Sequence, residues 1–392
     1  MEPSGFVRCS GSPLNGHKAV GIFWIFMVFF LLSPAFSLSA DRLSDHWTMN
    51  AFMDKHPGER RKLKVFSKRV QEAANPHPLS HDIRSPVRIA IIYPGFENSD
   101  YWARSVTAFQ KRLQELKIHH ILHLWLRRSN TPYVSLEDMD QIREAIQQDV
   151  DYLVCTLASP EHHKILDRLL SRSKPRILLQ NITTPLRRWD GCQPFFYVGF
   201  DHMEGTRILA EHIGSPPRKS YVILNPEEGY LSAVRGDFFI RLAEKQGLRL
   251  KDVFYTGIDR ERARIASLDA LERHPDLTHI YATTTDIALG AADALRKKNM
   301  KDRIVLNGWG GGKAELEALK RGDLDFTLMR MNDDNGVAMA EAIALDIQGF
   351  GHQVPRIYSG AMHLVEASAS PESIKALTRQ AFRYSGIPGG SE

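Results

Sequence analysis

The chain has 392 residues, enough for two domains, and with 43% hydrophobic and 25% charged residues it has the profile of an ordinary globular protein. Its formal net charge is +5; with no basic tract and the charge evenly spread, this gives no case for nucleic-acid binding and marks no partner surface. No Cys/His pattern has the spacing of a metal site.

Residues 19–32, A-V-G-I-F-W-I-F-M-V-F-F-L-L, form an apolar run preceded by Arg8 and Lys18 and followed by small residues around Ser37, Ser39 and Ala40. This fits a secretory signal over 1–39, cleaved near Ser37 to Ala40, and so a periplasmic mature protein; an uncleaved anchor is the alternative. No later segment is long and apolar enough to insert in a bilayer. Cys9 leaves with the signal. Cys155 and Cys192 remain, and either they pair in an oxidising compartment or Cys155 is simply core.

Residues 40–86 are expected to form an N-terminal extension of two short helices, 47–53 and 60–74, and a linker beginning Asn75-Pro76. From Val87 strands alternate with amphipathic helices. Strands are expected over 88–93, 120–126, 152–157, 176–180 and 196–199, with helices over 99–116, 135–148, 161–170 and 202–213. Gly214-Ser-Pro-Pro-Arg-Lys-Ser is a boundary, after which the rhythm restarts. Strands follow over 221–224, 250–255, 279–283, 304–307 and 326–329, with helices over 231–244, 261–272, 286–297, 314–319, 336–347 and 371–384. The near-continuous apolar strands and repeated crossovers predict an α/β fold of two lobes, each a parallel sheet covered by helices, with a ligand cleft between them.

The search for catalysis is negative. There is no G-x-S-x-G, no H-E-x-x-H, and Gly308-Trp-Gly-Gly-Gly-Lys313 fits neither a phosphate-binding loop nor a dinucleotide fingerprint. No enzyme is expected. Polar and aromatic residues do gather at the carboxyl ends of predicted strands, where open α/β sheets bind ligands. Ser99 and Trp102 follow the first strand and Asn181 the fourth; in the second lobe stand Arg235, Thr285 and Asp286, Trp309 and Arg330. Aromatic faces with Asn, Asp and Arg donors and acceptors suit a sugar-sized polyhydroxylated ligand, whose hydroxyls must regain partners on leaving water. Each has a blander role: a Trp in the core, Asp286 as a helix cap, Arg330 paired with Asp333 or Asp334. Two arginines in one cleft require either neutralising carboxylates, with Glu97 and Asp286 to hand, or an anionic ligand.

The stretches Y-P-G-F-E-N-S-D-Y-W at Tyr93, L-L-Q-N-I-T-T-P at Leu178, Y-V-G-F-D-H-M-E-G at Tyr197, V-R-G-D at Val234, T-T-D-I-A-L-G-A at Thr284, N-G-W-G-G-G at Asn307 and M-R-M-N-D-D at Met329 resemble the type I periplasmic binding proteins, and among them the LuxP-type autoinducer-2 receptors of quorum sensing. The resemblance implies a first lobe over 87–201 with roughly 331–355 returning to it, and a second over 202–330 with roughly 356–392. It implies that autoinducer-2, as a furanosyl borate diester, or a related furanose occupies the cleft, with no cofactor beyond the borate of the ligand itself. Ser99, Trp102, Asn181, Thr285, Asp286 and Trp309 would line the cleft, with Arg235 and Arg330 on the borate charge, and a LuxQ-type membrane sensor histidine kinase would be the partner. Glu97 stands where that pattern has an amide: ionised, it repels an anionic ligand, and protonated, it donates to one. The alternative on the same fold is a pentose-binding protein serving an ABC importer or a chemoreceptor.

Overall fold

In the computed structural model, the described residues are 43–76, 85–93, 100–126, 136–157, 160–214 and 219–386. The expected signal segment, Glu97 and Ser99 lie outside them. Two helices come first, α1 (Met49–Lys55) and α2 (Pro57–Gln71), the latter started by Pro57 in its first turn. The first sheet then builds from β1 (Val87–Tyr93), β2 (His120–Leu126), β3 (Tyr152–Cys155), β4 (Arg176–Gln180) and β5 (Phe196–Gly199). Its crossovers are α3 (Tyr101–Glu115), α4 (Leu136–Gln147) and α5 (Pro160–Leu170). Every residue of β3 and β5 is buried, as strands covered on both faces must be.

The second lobe repeats the plan. Here α6 (His202–Ile213) leads to β6 (Ser220–Asn225), α7 (Phe238–Lys245), β7 (Arg249–Tyr255), α8 (Arg260–Arg273), β8 (His279–Ala282) and α9 (Thr285–Lys298). Then come β9 (Val305–Gly310), α10 (Lys313–Lys320) and β10 (Phe326–Arg330). Helix α11 (Asp333–Ile347) returns to the first lobe and packs on α3. Two short strands, β11 (Ile357–Ser359) and β12 (Met362–Glu366), and helix α12 (Pro371–Ala381) complete the order.

The sheet orders are β11-β5-β4-β3-β1-β2 and β12-β10-β9-β8-β6-β7, parallel throughout except that β12 runs antiparallel to β10. In each the order reverses at the first strand, β1 or β6, which puts a switch-point crevice at the carboxyl ends of the strands. The lobes are joined by three adjacent chain crossings: Gly360 N–H donates to Gly199 O (2.9 Å), Met331 N–H to Ala361 O (3.0 Å), and Asp201 N–H to Ser359 Oγ (2.9 Å).

Two sequence expectations are corrected. The segment from 356 does not pass directly to the second lobe: β11 pairs with β5 in the first sheet, and the chain crosses only after Ser359. The helix expected over 231–244 begins as a wide π-type turn at Ser232–Asp237. Cys155 is a buried core residue and Cys192 is exposed and unpaired, so no disulfide joins them; burial pushes the Cys155 thiol up to about 12. Among the described residues no helix is long and apolar enough to cross a membrane.

Candidate functional site

Residues from Ala40 onward form one compact unit, and six of the candidate residues, Asp286 apart, are brought together in it. Arg235 projects from the π-type turn. That turn packs against the end of β6 because Gly236 has no Cβ, which would collide with the Asn225 side chain. The Arg235 guanidinium lies over the Trp309 ring, its Cζ 3.8 Å from the ring centroid, donates from Nη1 to Thr283 O at 2.7 Å, and meets His202 Nδ1 at 3.2 Å. His202 Nε2 in turn lies 3.3 Å from Asn181 O. This is the neutral tautomer with the proton on Nε2, since Arg235 can only donate. His202 is the first residue of α6 after a crossing, so it couples the end of β4 in one lobe to Arg235 in the other.

On the opposite side Arg330, at the end of β10, stacks on the ring of Tyr101 at 4.4 Å, with Phe200 at 5.8 Å. Tyr101 is fixed by Gln180 Nε2 (3.2 Å) and Asn335 Nδ2 (2.9 Å), both donating to its hydroxyl. Trp102 packs against Tyr101 and Tyr93 at centroid distances of 4.7 and 4.6 Å, and so supports the first-lobe wall from its core. Thr285 donates to Trp309 O at 3.4 Å and, with Arg330, Gly310, Asp100 and Asn332, lines a cavity of about 200 Å³ between the lobes. Asp286 is buried in the first turn of α9, within the field of Arg260. It is not the cap of that helix, whose N-cap is Thr284. Asp334 pairs with Arg383, and Asp333 accepts from the Tyr384 and Ser385 backbone.

The electrostatics follow from burial. Arg235 is held down to about 9, first by desolvation and then by the charge of Arg330, yet it is still cationic at neutral pH. His202 is pushed well below its usual range by burial and by both arginines. Asn181 Oδ1, Thr284 Oγ1 and Arg235 Nε are buried without a hydrogen-bond partner among the described residues. Each such atom costs roughly 1–3 kcal/mol unless a ligand group satisfies it.

Sequence reasoning gave no role to Tyr101, His202 or Glu315. The first two were in view, in the D-Y-W and F-D-H-M-E-G stretches, but only the meeting of the lobes gives them one. Glu315, wholly buried in α10, accepts from the backbone N–H of Trp309 (3.0 Å) and Gly311 (2.8 Å) and from the Thr327 hydroxyl. It thereby clamps the glycine loop that carries Trp309. Gly311 sits at φ +67° with Met329 Cα 2.5 Å from where a Cβ would stand, so no other residue fits there.

Residues 89–349 match a family model described as a periplasmic binding protein domain. The fold is similar to that of an ABC transporter solute-binding protein from Agrobacterium vitis bound with α-D-tagatopyranose, at TM-score 0.65 and 14% identity over 74% of this chain and 98% of that one. It is also similar to one from Bacillus halodurans bound with myo-inositol, at TM-score 0.62 and 17% identity over 74% and 97%. A periplasmic ribose ABC transporter protein from Conexibacter woesei matches at TM-score 0.61 and 18% identity over 75% and 95%. At these identities the likeness to solved structures carries the fold alone.

Proposed function

The chain belongs to the periplasmic binding protein family, and from that premise we propose that it is a non-catalytic periplasmic receptor for a small, cyclic, polyhydroxylated ligand held between its lobes. The observation that carries this is the buried set Arg235, Trp309, Arg330 and Tyr101: two guanidiniums, each stacked on an aromatic ring, at the strand ends of the cleft. Planar donors over apolar faces bind ring hydroxyls and shed water. The buried acceptors at Asn181 and Thr284 add directional partners. The solved proteins of the same fold that hold tagatose and inositol support a neutral sugar delivered to an importer or a chemoreceptor.

A second, finer reading is favoured by the arginine pair. Arg330 depresses Arg235 through space, so a ligand that carries negative charge relieves that repulsion and a neutral one does not. Autoinducer-2 as a furanosyl borate diester has this charge, and its receptor would report to a membrane sensor kinase of LuxQ type. Glu97, outside the described residues, would then set the preference between borated and boron-free forms.

A thermal-shift titration separates the two, because a ligand that binds only the folded protein raises its melting temperature by mass action. The ligands are ribose, myo-inositol, and autoinducer-2 with and without borate. A borate-dependent rise that is lost in both Arg235→Met and Arg330→Met establishes the anionic ligand. A rise with neutral sugars alone establishes the importer reading and removes the quorum-sensing one. No rise with any of these ligands would sink the cyclic-polyol site.

A further inference from the structure

Helix α2, P-G-E-R-R-K-L-K-V-F-S-K-R-V-Q, holds six basic residues against one acidic, a net +5. That equals the formal charge of the whole chain, so outside this helix the basic and acidic residues balance. The expectation of an evenly spread charge fails here. At 100° per residue, Arg60, Arg61, Lys64, Val65 and Lys68 fall on one arc of about 140°, and all five are exposed. The opposite face buries Phe66 and Val70 in the first-lobe core, where α2 packs on α11 and β11. Arg60 pairs with Asp54 at 2.5 Å and Lys68 with Glu72 at 3.5 Å, while Arg61 and Lys64 have no ion-pair partner among the described residues. Val65, 67% exposed, is the one apolar residue in the strip.

We infer that this strip is a docking surface for the anionic headgroups of a phospholipid bilayer. A protein partner would be met by an apolar core enriched in aromatic residues and depleted in Lys; this strip is Lys and Arg with a single valine. Phosphate headgroups need only fixed cations that can reach them. Because the apolar face of α2 is used up in the fold, the helix cannot sink into the acyl layer, and contact is electrostatic, reversible and screened by salt. Its effect is to hold the first lobe against the membrane, where any membrane-embedded partner of a receptor must be met.

The test is co-sedimentation of the purified protein with phosphatidylglycerol-containing and with pure phosphatidylcholine vesicles, at low and high salt. Expected is binding to the anionic vesicles alone, released by salt, with partitioning reduced by about tenfold or more in the double variant Arg61→Glu, Lys64→Glu. The control double variant Lys297→Glu, Arg303→Glu makes the same change in net charge at exposed positions on the second lobe and is expected to bind as the parent does. Unchanged melting temperatures show that both variants fold. Equal loss in the control would trace binding to net charge and overturn the strip. Absence of vesicle binding, with retention on a polyglutamate matrix that the α2 variant loses, would overturn the membrane in favour of an acidic protein face.

Discussion

Arg235 is a charge kept where it costs the fold. Its depression from the usual guanidinium range to about 9 corresponds to a penalty on the order of a few kcal/mol, offset in part by Thr283 O, His202 and the Trp309 ring. Arg235→Met is therefore expected to raise the stability of the ligand-free protein by roughly 1 kcal/mol or more while removing the ligand-dependent rise in melting temperature. A urea titration without ligand and the thermal shift with it measure the two halves. His279 gives a pH dependence of definite sign. It is buried, its Nε2 lacks a partner, and its pKa falls from 6.5 to about 4. The unfolded chain thus takes up a proton below pH 6.5 that the folded one refuses, so stability is full above 6.5 and drains away as the pH falls toward 4. The loss approaches roughly 3 kcal/mol from this residue, and the depressed His202 adds to it in the same direction. Urea midpoints measured from pH 7 to 4.5 should fall, and His279→Gln should flatten the slope; a flat profile in the parent would refute the assignment.

At the scale of elements, the ten strands β1 to β10 were legible because they are short runs of strand-forming residues that end at polar loops and, with the exception of β4, lead into a helix. Strands β11 and β12 were not. Ile357–Ser359 is three residues long, and only two residues separate it from Met362–Glu366, so neither shows the strand-then-helix rhythm on which the reading relied. The candidate site was legible to a similar depth. Trp309, Thr285, Asp286 and Arg330 sit at or just beyond strand ends, where position in the motif is enough to nominate them, and Arg235 sits farther on, in the π-type turn after β6. The residues that orient them could not be nominated that way. His202 acts through partners in two lobes, and Glu315 acts through backbone amides, which no side-chain pattern announces. Glu315→Gln tests that second kind of residue. It keeps the shape but turns one acceptor into a donor facing Trp309 N–H or Gly311 N–H, with a stability loss of about 1.5–3 kcal/mol expected. Because the loop bears Trp309, ligand affinity should fall as well. Weakened ligand binding at a temperature where the variant remains folded would mark a positioning role; unchanged affinity would reduce Glu315 to a stability element.

For the whole molecule, the question is what holds two lobes joined by three crossings at a defined angle. The chain supplies a fourth connection. Helix α12 ends in the second-lobe core at Ala381 and Phe382, and the residues after it bind the first lobe. The backbone N–H groups of Tyr384 and Ser385 donate to Asp333 Oδ2, each at 2.7 Å; Arg383 pairs with Asp334; and Arg112 Nη1 donates to the Tyr384 hydroxyl, which donates to Glu115. Arg104 of α3 reaches Ser385 Oγ (2.9 Å) and Gly386 O (2.8 Å) and stacks on Phe382 at 4.0 Å. Phe382 also lines the interlobe cavity with Arg330 and Thr285, so this strap runs beside the site. Lobe rotation on ligand binding must work against it, which narrows the range of open states and lowers the entropy lost on closure. The double variant Arg104→Ala, Tyr384→Phe cuts the strap at two points without touching Arg235, Trp309 or Asn181. In solution scattering its ligand-free form should show a larger radius of gyration than the parent. Saturating ligand should return it to the parent's liganded value, with affinity weakened by the extra cost of closing. If the ligand-free radii are equal, the strap does not restrain the hinge, and the three crossings alone set the angle.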